Sequence, residues 1–340
     1  GATIYVMSDV EMNQMAWVWE KELTITSYGV DPVTLSRGEN FHTNADPARQ
    51  HYNPAMIEVG GETEQGTVSS LILTHIILDD MGKYEGEYFV QADSEGDGET
   101  TVSRSEVPNT SIVQDAIIAT YNGMGTITLG DGAELRNYGG MSAVRLSGGE
   151  LVMEEGSAIL DTTENEREKG ASGSFGPAGA VWLQGGILTM NGGTIGGDKG
   201  VMMNGRALYA DGGTANIGGT IQNIHGTDAA WQGQNGVAVH LRSHGEATLA
   251  STGEITNVTG TNAGNNCAIW TQFCNFTTKA GSKISHVDGF QLLYFDDLDN
   301  NNYSHEVYLN GTISECASGS ASLLRSWYGQ ITFGPNSVIE

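Results

Sequence analysis

The chain has 340 residues, including 48 Gly and 6 Pro, and its 41 acidic against 15 basic residues give a formal net charge of −26. With 39% hydrophobic and 16% charged residues it can bury a real core, which excludes a disordered polyanion, and glycine without a strict G-X-Y period excludes collagen. The acidity, with no basic stripe, repels phosphate backbones and anionic bilayers, and no run of about 18 apolar residues occurs, so neither nucleic acid nor membrane insertion is expected.

In chain order, Gly1-Ala2-Thr3 leads directly into the strand-like Ile4-Tyr5-Val6-Met7, and the chain closes on Ser337-Val338-Ile339-Glu340. With neither a signal peptide nor a sorting tail legible, the sequence reads as a fragment of a larger multidomain chain. Residues 1–125 read as irregular first coils. Strand-like segments occur at Leu23-Thr24-Ile25-Thr26, Val33-Thr34-Leu35, Ala55 to Val59 and Leu71 to Leu78, with long insertions at 37–54 and 81–111. From residue 126 to 340 one unit recurs regularly. Its first strand alternates with period two, as in Thr126-Ile127-Thr128-Leu129, Glu150-Leu151-Val152-Met153 and Ile187-Leu188-Thr189-Met190. A glycine corner and second strand follow, as in Gly192-Gly193-Thr194-Ile195 and Gly218-Gly219-Thr220-Ile221. A loop of variable length then leads to a third apolar strand. Units recur every 24 to 37 residues, the variation lying in the loop after the Ile. Such short strands cannot each bury a face alone, but stacked about 4.8 Å apart they share one interior. The expected fold is therefore all-β: a single-stranded right-handed parallel β-helix of about nine to ten coils, forming one domain over residues 1–340.

The segment Leu188-Thr189-Met190-Asn191-Gly192-Gly193-Thr194-Ile195 resembles repeats of pectate-lyase-like β-helix proteins of the secreted or surface-displayed gut-bacterial type. The resemblance covers roughly residues 110 to 340. It implies the fold and an extracellular or cell-surface location, but polysaccharide lyases, glycoside hydrolases and adhesins all carry such repeats, so it does not select an activity.

Aligned third strands run Ala143-Val144-Arg145-Leu146, Ala180-Val181-Trp182-Leu183, Ala207-Leu208-Tyr209-Ala210, Ala238-Val239-His240-Leu241, Ala268-Ile269-Trp270-Thr271, Gln291-Leu292-Leu293-Tyr294 and Ser322-Leu323-Leu324-Arg325. If the flanking apolar residues point inward, the third position points out. The expected column is Arg145, Trp182, Tyr209, His240, Trp270, Leu293 and Arg325. Two readings stand side by side: a groove carrying sugar rings on aromatic faces, with the arginines donating to hydroxyls or a carboxylate, or a buried ladder covered by loops bearing Phe175 and Trp231. Glu58 shares the register of Arg145 in an early coil and would extend a groove.

Two positions further on, the outward face continues through Ser147, Gln184, Asp211, Arg242, Gln272 and Trp327. Asp211 beside Tyr209 and Arg242 is either a catalytic carboxylate or a cross-coil ion pair. Glycoside hydrolysis usually needs two carboxyls about 5 to 9.5 Å apart. The second candidates are Asp296 and Asp297, about three coils or ~14 Å from Asp211, and Asp228 in the 222–236 loop. A lyase would draw its base from Arg145, Arg206, Arg242 or Arg325, though the net charge disfavours an unbridged polyuronate. Asp297, Asp299 and Asn301 form a D-x-D-x-N oxygen cluster able to hold a loose structural Ca²⁺, although Asn302 and Tyr308 stand where an EF-hand needs Gly and Glu. No other cofactor is expected. Cys267, Cys274 and Cys316 show no zinc or disulfide pattern and read as buried apolar residues. Asp79-Asp80 reads as a strand-ending turn.

The functional expectation is an extracellular, carbohydrate-active β-helix, monomeric or part of a larger chain, that binds an oligosaccharide or polysaccharide through Arg145, Trp182, Tyr209, His240, Trp270, Arg242, Arg325 and Trp231. It would hydrolyse the glycan through Asp211 with Asp228, Asp296 or Asp297. The alternatives are a non-catalytic surface adhesin or stalk segment and, third, a polysaccharide lyase.

Overall fold

The computed structural model describes residues 1–42, 55–60, 69–82, 87–91, 99–103, 116–120, 125–140, 142–163, 179–226, 236–260, 267–289, 291–297, 305–319 and 322–340. Among them there is no helix; short strands stack into three sheets of a right-handed parallel β-helix. The first sheet has 11 strands and the third has 10, giving ten complete coils and two strands of an eleventh. Ala2–Val6, Val10–Gln14 and Ala16–Val18 form the first coil, which only its Ile4-Tyr5-Val6-Met7 segment betrayed in the sequence. The segments expected at 23–26, 33–35 and 55–59 form the second. The insertion after Asp79 contributes an antiparallel pair, Glu87–Gln91 with Glu99–Ser103, beside the second sheet.

Pairing between coils is parallel and in register: Leu151 lies beside Leu188, which lies beside Ala215, then Ala247 and Phe276. Alternation then points one set of side chains from each sheet into a shared interior, and Ile127, Leu151, Leu188, Ile195, Ile221 and Ile255 are wholly buried there.

The corners repeat as regularly as the strands. Between the second and third sheets a non-glycine residue takes positive φ at equivalent places, Asn223 (55°), Asn257 (52°), His286 (53°) and Glu315 (52°). Asn257 Nδ2 donates to Asn223 Oδ1 at 2.6 Å, tying two of these corners together. The longest stretches of sequence between strands also fall at this junction, between His42 and Ala55, between Ser103 and Ala116 and between Asp161 and Val181. In an early coil the same region holds the buried ion pair of Arg37 and Asp80; Arg37 Nη2 also donates to Ala116 O and Gly139 N to Asp80 Oδ2. Asp79 accepts from Met81 N and Asn137 Nδ2, so both carboxylates of the Asp79-Asp80 turn hold the fold.

Between the third and first sheets the turn is Gly148-Gly149, Gly185-Gly186 and Gly212-Gly213 in successive coils. At Gly186, φ is +76° and an added Cβ would lie 2.6 Å from Gly149 O, so both conformation and close approach demand glycine. Gly200 has a similar φ of +80° but nothing within 4 Å of an added Cβ. Gly186→Ala is therefore expected to destabilise by about 1–3 kcal/mol. Gly200→Ala pays only the conformational part, and thermal unfolding followed by circular dichroism should show the larger loss of melting temperature at 186.

Candidate functional site

Each third strand places two inward residues around one outward residue. Val144, Val181, Leu208, Val239, Ile269 and Leu293 are successive partners, and all are core residues. The residue following each forms the outward column: Arg145, Trp182, Tyr209, His240, Trp270, Tyr294 and Arg325. The expected column is reproduced with one correction. Leu293 pairs with Ile269 and Leu324 and points inward, and Tyr294 takes the outward place. Leu292 and Leu293 fit either register by hydropathy, so only the pairing separates them. Towards the N-terminus the column continues through Ala119, Glu58 and Trp17.

The rings stack along the helix axis. Centroids are 6.3 Å apart for Trp182–Tyr209, 5.0 Å for Tyr209–His240, 4.8 Å for His240–Trp270 and 5.8 Å for Trp270–Tyr294. His240 and Trp270 are nearly coplanar in tilt, at 9°. Arginines cap the stack: Arg145 lies 4.9 Å from the Trp182 ring centre and Arg325 lies 5.3 Å from that of Tyr294. A third, Arg206, lies 5.2 Å from the centre of Tyr209. His240 and Trp270 thus meet face to face, Tyr209 meets His240 edge to face at 61°, and the remaining pairs are tilted. The stack is also covered, Trp182 being 7% exposed, His240 3% and Trp270 2%.

Burial leaves polar atoms stranded. Among the described residues, Trp182 Nε1, Trp270 Nε1 and both nitrogens of His240 have no hydrogen-bond partner. Loss of water, reinforced by the positive charges of Arg206 and Arg242, drives the His240 pKa well below its usual value, so the ring is neutral, with one donor and one acceptor. Arg145 donates to Gln184 Oε1 from Nε at 2.8 Å and from Nη2 at 2.6 Å. Burial lowers the pKa of Arg145 and of Arg206 to about 10, still charged at neutral pH.

The carboxylates are spread out. Asp211 pairs in register with Arg242, and Ser243 Oγ donates to its Oδ1. Asp296 continues the same outward row beside Gln272 and Trp327, three coils from Asp211, or ~14 Å by strand spacing. Asp297 is wholly buried and accepts from His305. Asp228, Trp231, Asp299, Asn301 and Phe175 lie outside the described residues. Among the described residues no three His, Cys, Asp or Glu side chains converge as a metal cluster. Comparison with protein-family models, curated proteins and solved structures finds no match to this chain.

Glu58 stands apart. It is wholly buried and neither carboxylate oxygen has a partner in hydrogen-bond geometry. Burial pushes its pKa up to about 7, the neighbouring Trp19 indole offsetting part of the rise. Between the unperturbed value of 4.5 and about 7, the unfolded chain has lost a proton that the folded protein retains. Stability from this group therefore falls as pH rises through that window, by roughly 3 kcal/mol. Glu58→Gln removes the dependence: its melting temperature should match the parent near pH 4.5 and exceed it by several degrees at about pH 8.

Proposed function

We propose that this β-helix is a carbohydrate-binding protein, surface-displayed or secreted, that engages neutral glycan hydroxyls along the outward column of its third sheet. The observation that carries the reading is the set of buried, unpartnered ring nitrogens at Trp182, His240 and Trp270. A ladder serving stability alone would be better built from phenylalanine, because each stranded buried polar group costs about 1–3 kcal/mol. A hydroxyl both donates and accepts, which matches the one donor and one acceptor of neutral His240, with the Trp270 indole N–H on one side and that of Trp182 beyond Tyr209 on the other. Recognition of this kind proceeds through ring edges rather than by laying sugars on aromatic faces. Because those edges are covered in the ligand-free protein, binding must uncover them, and the polar atoms then recover the hydrogen bonds they lack. The resemblance of the Leu188–Ile195 repeat to pectate-lyase-like β-helix proteins agrees with a glycan ligand and an extracellular setting.

Binding without hydrolysis, as in an adhesin, is favoured by the ~14 Å separation of Asp211 and Asp296. Hydrolysis is the second reading and rests on Asp211, which is half-buried, accepts from Ser243 and lies in register with Arg242 in the strand that carries Tyr209. Glycan-array binding by the parent and by Trp270→Phe, which keeps the ring and removes the N–H, tests the first reading. The variant should bind about tenfold more weakly, the effect of one buried hydrogen bond. His240→Phe should lose binding while its melting temperature rises. Equal binding by all three proteins overturns the proposal. New reducing ends released from a bound glycan by the parent, and not by Asp211→Asn, would establish hydrolysis.

A further inference from the structure

Beside the column, the corners joining the third sheet to the first carry a second group of side chains that glycan binding does not use. In the coils from Ser142 to Asp211 that corner is Gly-Gly, but after the strand Gly236–Arg242 it is Ser243-His244-Gly245, with φ of +55° at Ser243 and +63° at His244. A histidine is thus held in a left-handed conformation at a turn that glycine makes without strain. Two corners further on, His305 precedes the strand Glu306–Leu309. His305 Nε2 lies 3.2 Å from His244 Nδ1, and the ring centres are 5.3 Å apart. On its other side, His305 Nδ1 lies 2.6 Å from Asp297 Oδ1.

The protonation pattern follows from the carboxylate. A carboxylate oxygen accepts, so with His305 donating from Nδ1 to Asp297 Oδ1 the lone pair of its Nε2 faces His244. If His244 carries its proton on the solvent-side Nε2, two lone pairs face one another across 3.2 Å. An ion about 2.05 Å from each nitrogen would subtend about 103°, close to the tetrahedral angle. Asp297 supplies the carboxylate that orients a metal-binding imidazole from behind. It is wholly buried, and among the described residues its Oδ2 has no hydrogen-bond partner and its Oδ1 is paired with the His305 imidazole, so a cation on that ring would lie close behind a buried carboxyl group. The overall charge of −26 further concentrates divalent cations at the surface.

We propose that His244 and His305, with Asp297 behind His305, form a binding site for a divalent transition metal of the zinc class, water completing its shell. The site differs in kind from the Ca²⁺ expectation at Asp297, Asp299 and Asn301. Its donors are nitrogens, and Asp297 Oδ1 is already engaged with His305. It stands whether or not the column binds glycan.

The test is calorimetric titration of the tag-free, metal-stripped full chain with zinc chloride, with calcium chloride in parallel. One equivalent of zinc should bind, and His244→Ala should weaken binding at least tenfold. Its side chain is exposed, so folding of this variant is not at issue. Asp297→Asn should weaken zinc binding about 10- to 100-fold while both ligands remain. Should Asp297→Asn fail to fold, cobalt substitution of the parent, read as visible absorption that His244→Ala abolishes, replaces it. Zinc binding that is absent in the parent, or unchanged in His244→Ala, overturns the proposal. Calcium binding with no zinc binding would overturn it in favour of the oxygen cluster.

Discussion

In-register parallel pairing between coils is the constraint from which the rest of this molecule follows. Each strand is hydrogen-bonded to the equivalent strand one coil away, so a side chain meets the same position of the next coil at about 4.8 Å. Inside, that stacks Leu151 on Leu188 and Ile195 on Ile221. Outside, it leaves Trp182, Tyr209, His240, Trp270 and Tyr294 no choice but to lie ring against ring. The same enforced neighbourhood disfavours equal charges in adjacent coils. The column obeys this: Arg145 borders Ala119 on one side and an indole on the other rather than another cation.

The column trades stability for chemistry. Three of its rings carry nitrogen atoms that water would satisfy and that the described residues do not, and Glu58 is wholly buried, the Trp19 indole offsetting only part of the rise in its pKa. Such groups are tolerable because the interior they stand on is continuous, running from Val18 in the first coil to Ile313 in the tenth. A solenoid distributes its cohesion over every coil interface, so a costly position in one coil is supported by its neighbours on both sides. Direct pairing of opposite charges follows a different logic at Arg37 and Asp80, where the partners and backbone groups are all present and the ions serve the fold.

Period-two alternation and repeated glycine corners made the coil legible in sequence, and they placed six of the seven outward third-strand residues. The seventh failed for a definite reason: with two leucines side by side, hydropathy is blind to a one-residue slip, and only the pairing of Leu293 with Ile269 sets Tyr294 outside. Ring orientation was also beyond reach. An alternating pattern says that an indole points outward but not whether its face or its edge does, because that depends on side-chain torsions and on the ring in the next coil. The meeting of His244 with His305 was hidden for a topological reason, since residues 61 apart become neighbours only when successive coils stack their corners, here with one corner between them. The rest of the first coil was obscured because Val10–Gln14 is mostly exposed and rich in polar residues and Ala16–Val18 spans only three residues.

The junction between the second and third sheets carries the longest inter-strand stretches, and it adjoins the strands that bear the column. Closing a longer loop costs little, each doubling of length adding only about 0.6 kcal/mol. A one-residue slip within a strand, by contrast, would turn every outward side chain inward. Sequence change at this junction is therefore nearly decoupled from the ladder beside it. A change of length there leaves the strand register, and with it the place of each ring in the ladder, unaltered, so the framework can absorb variation at this junction without refolding.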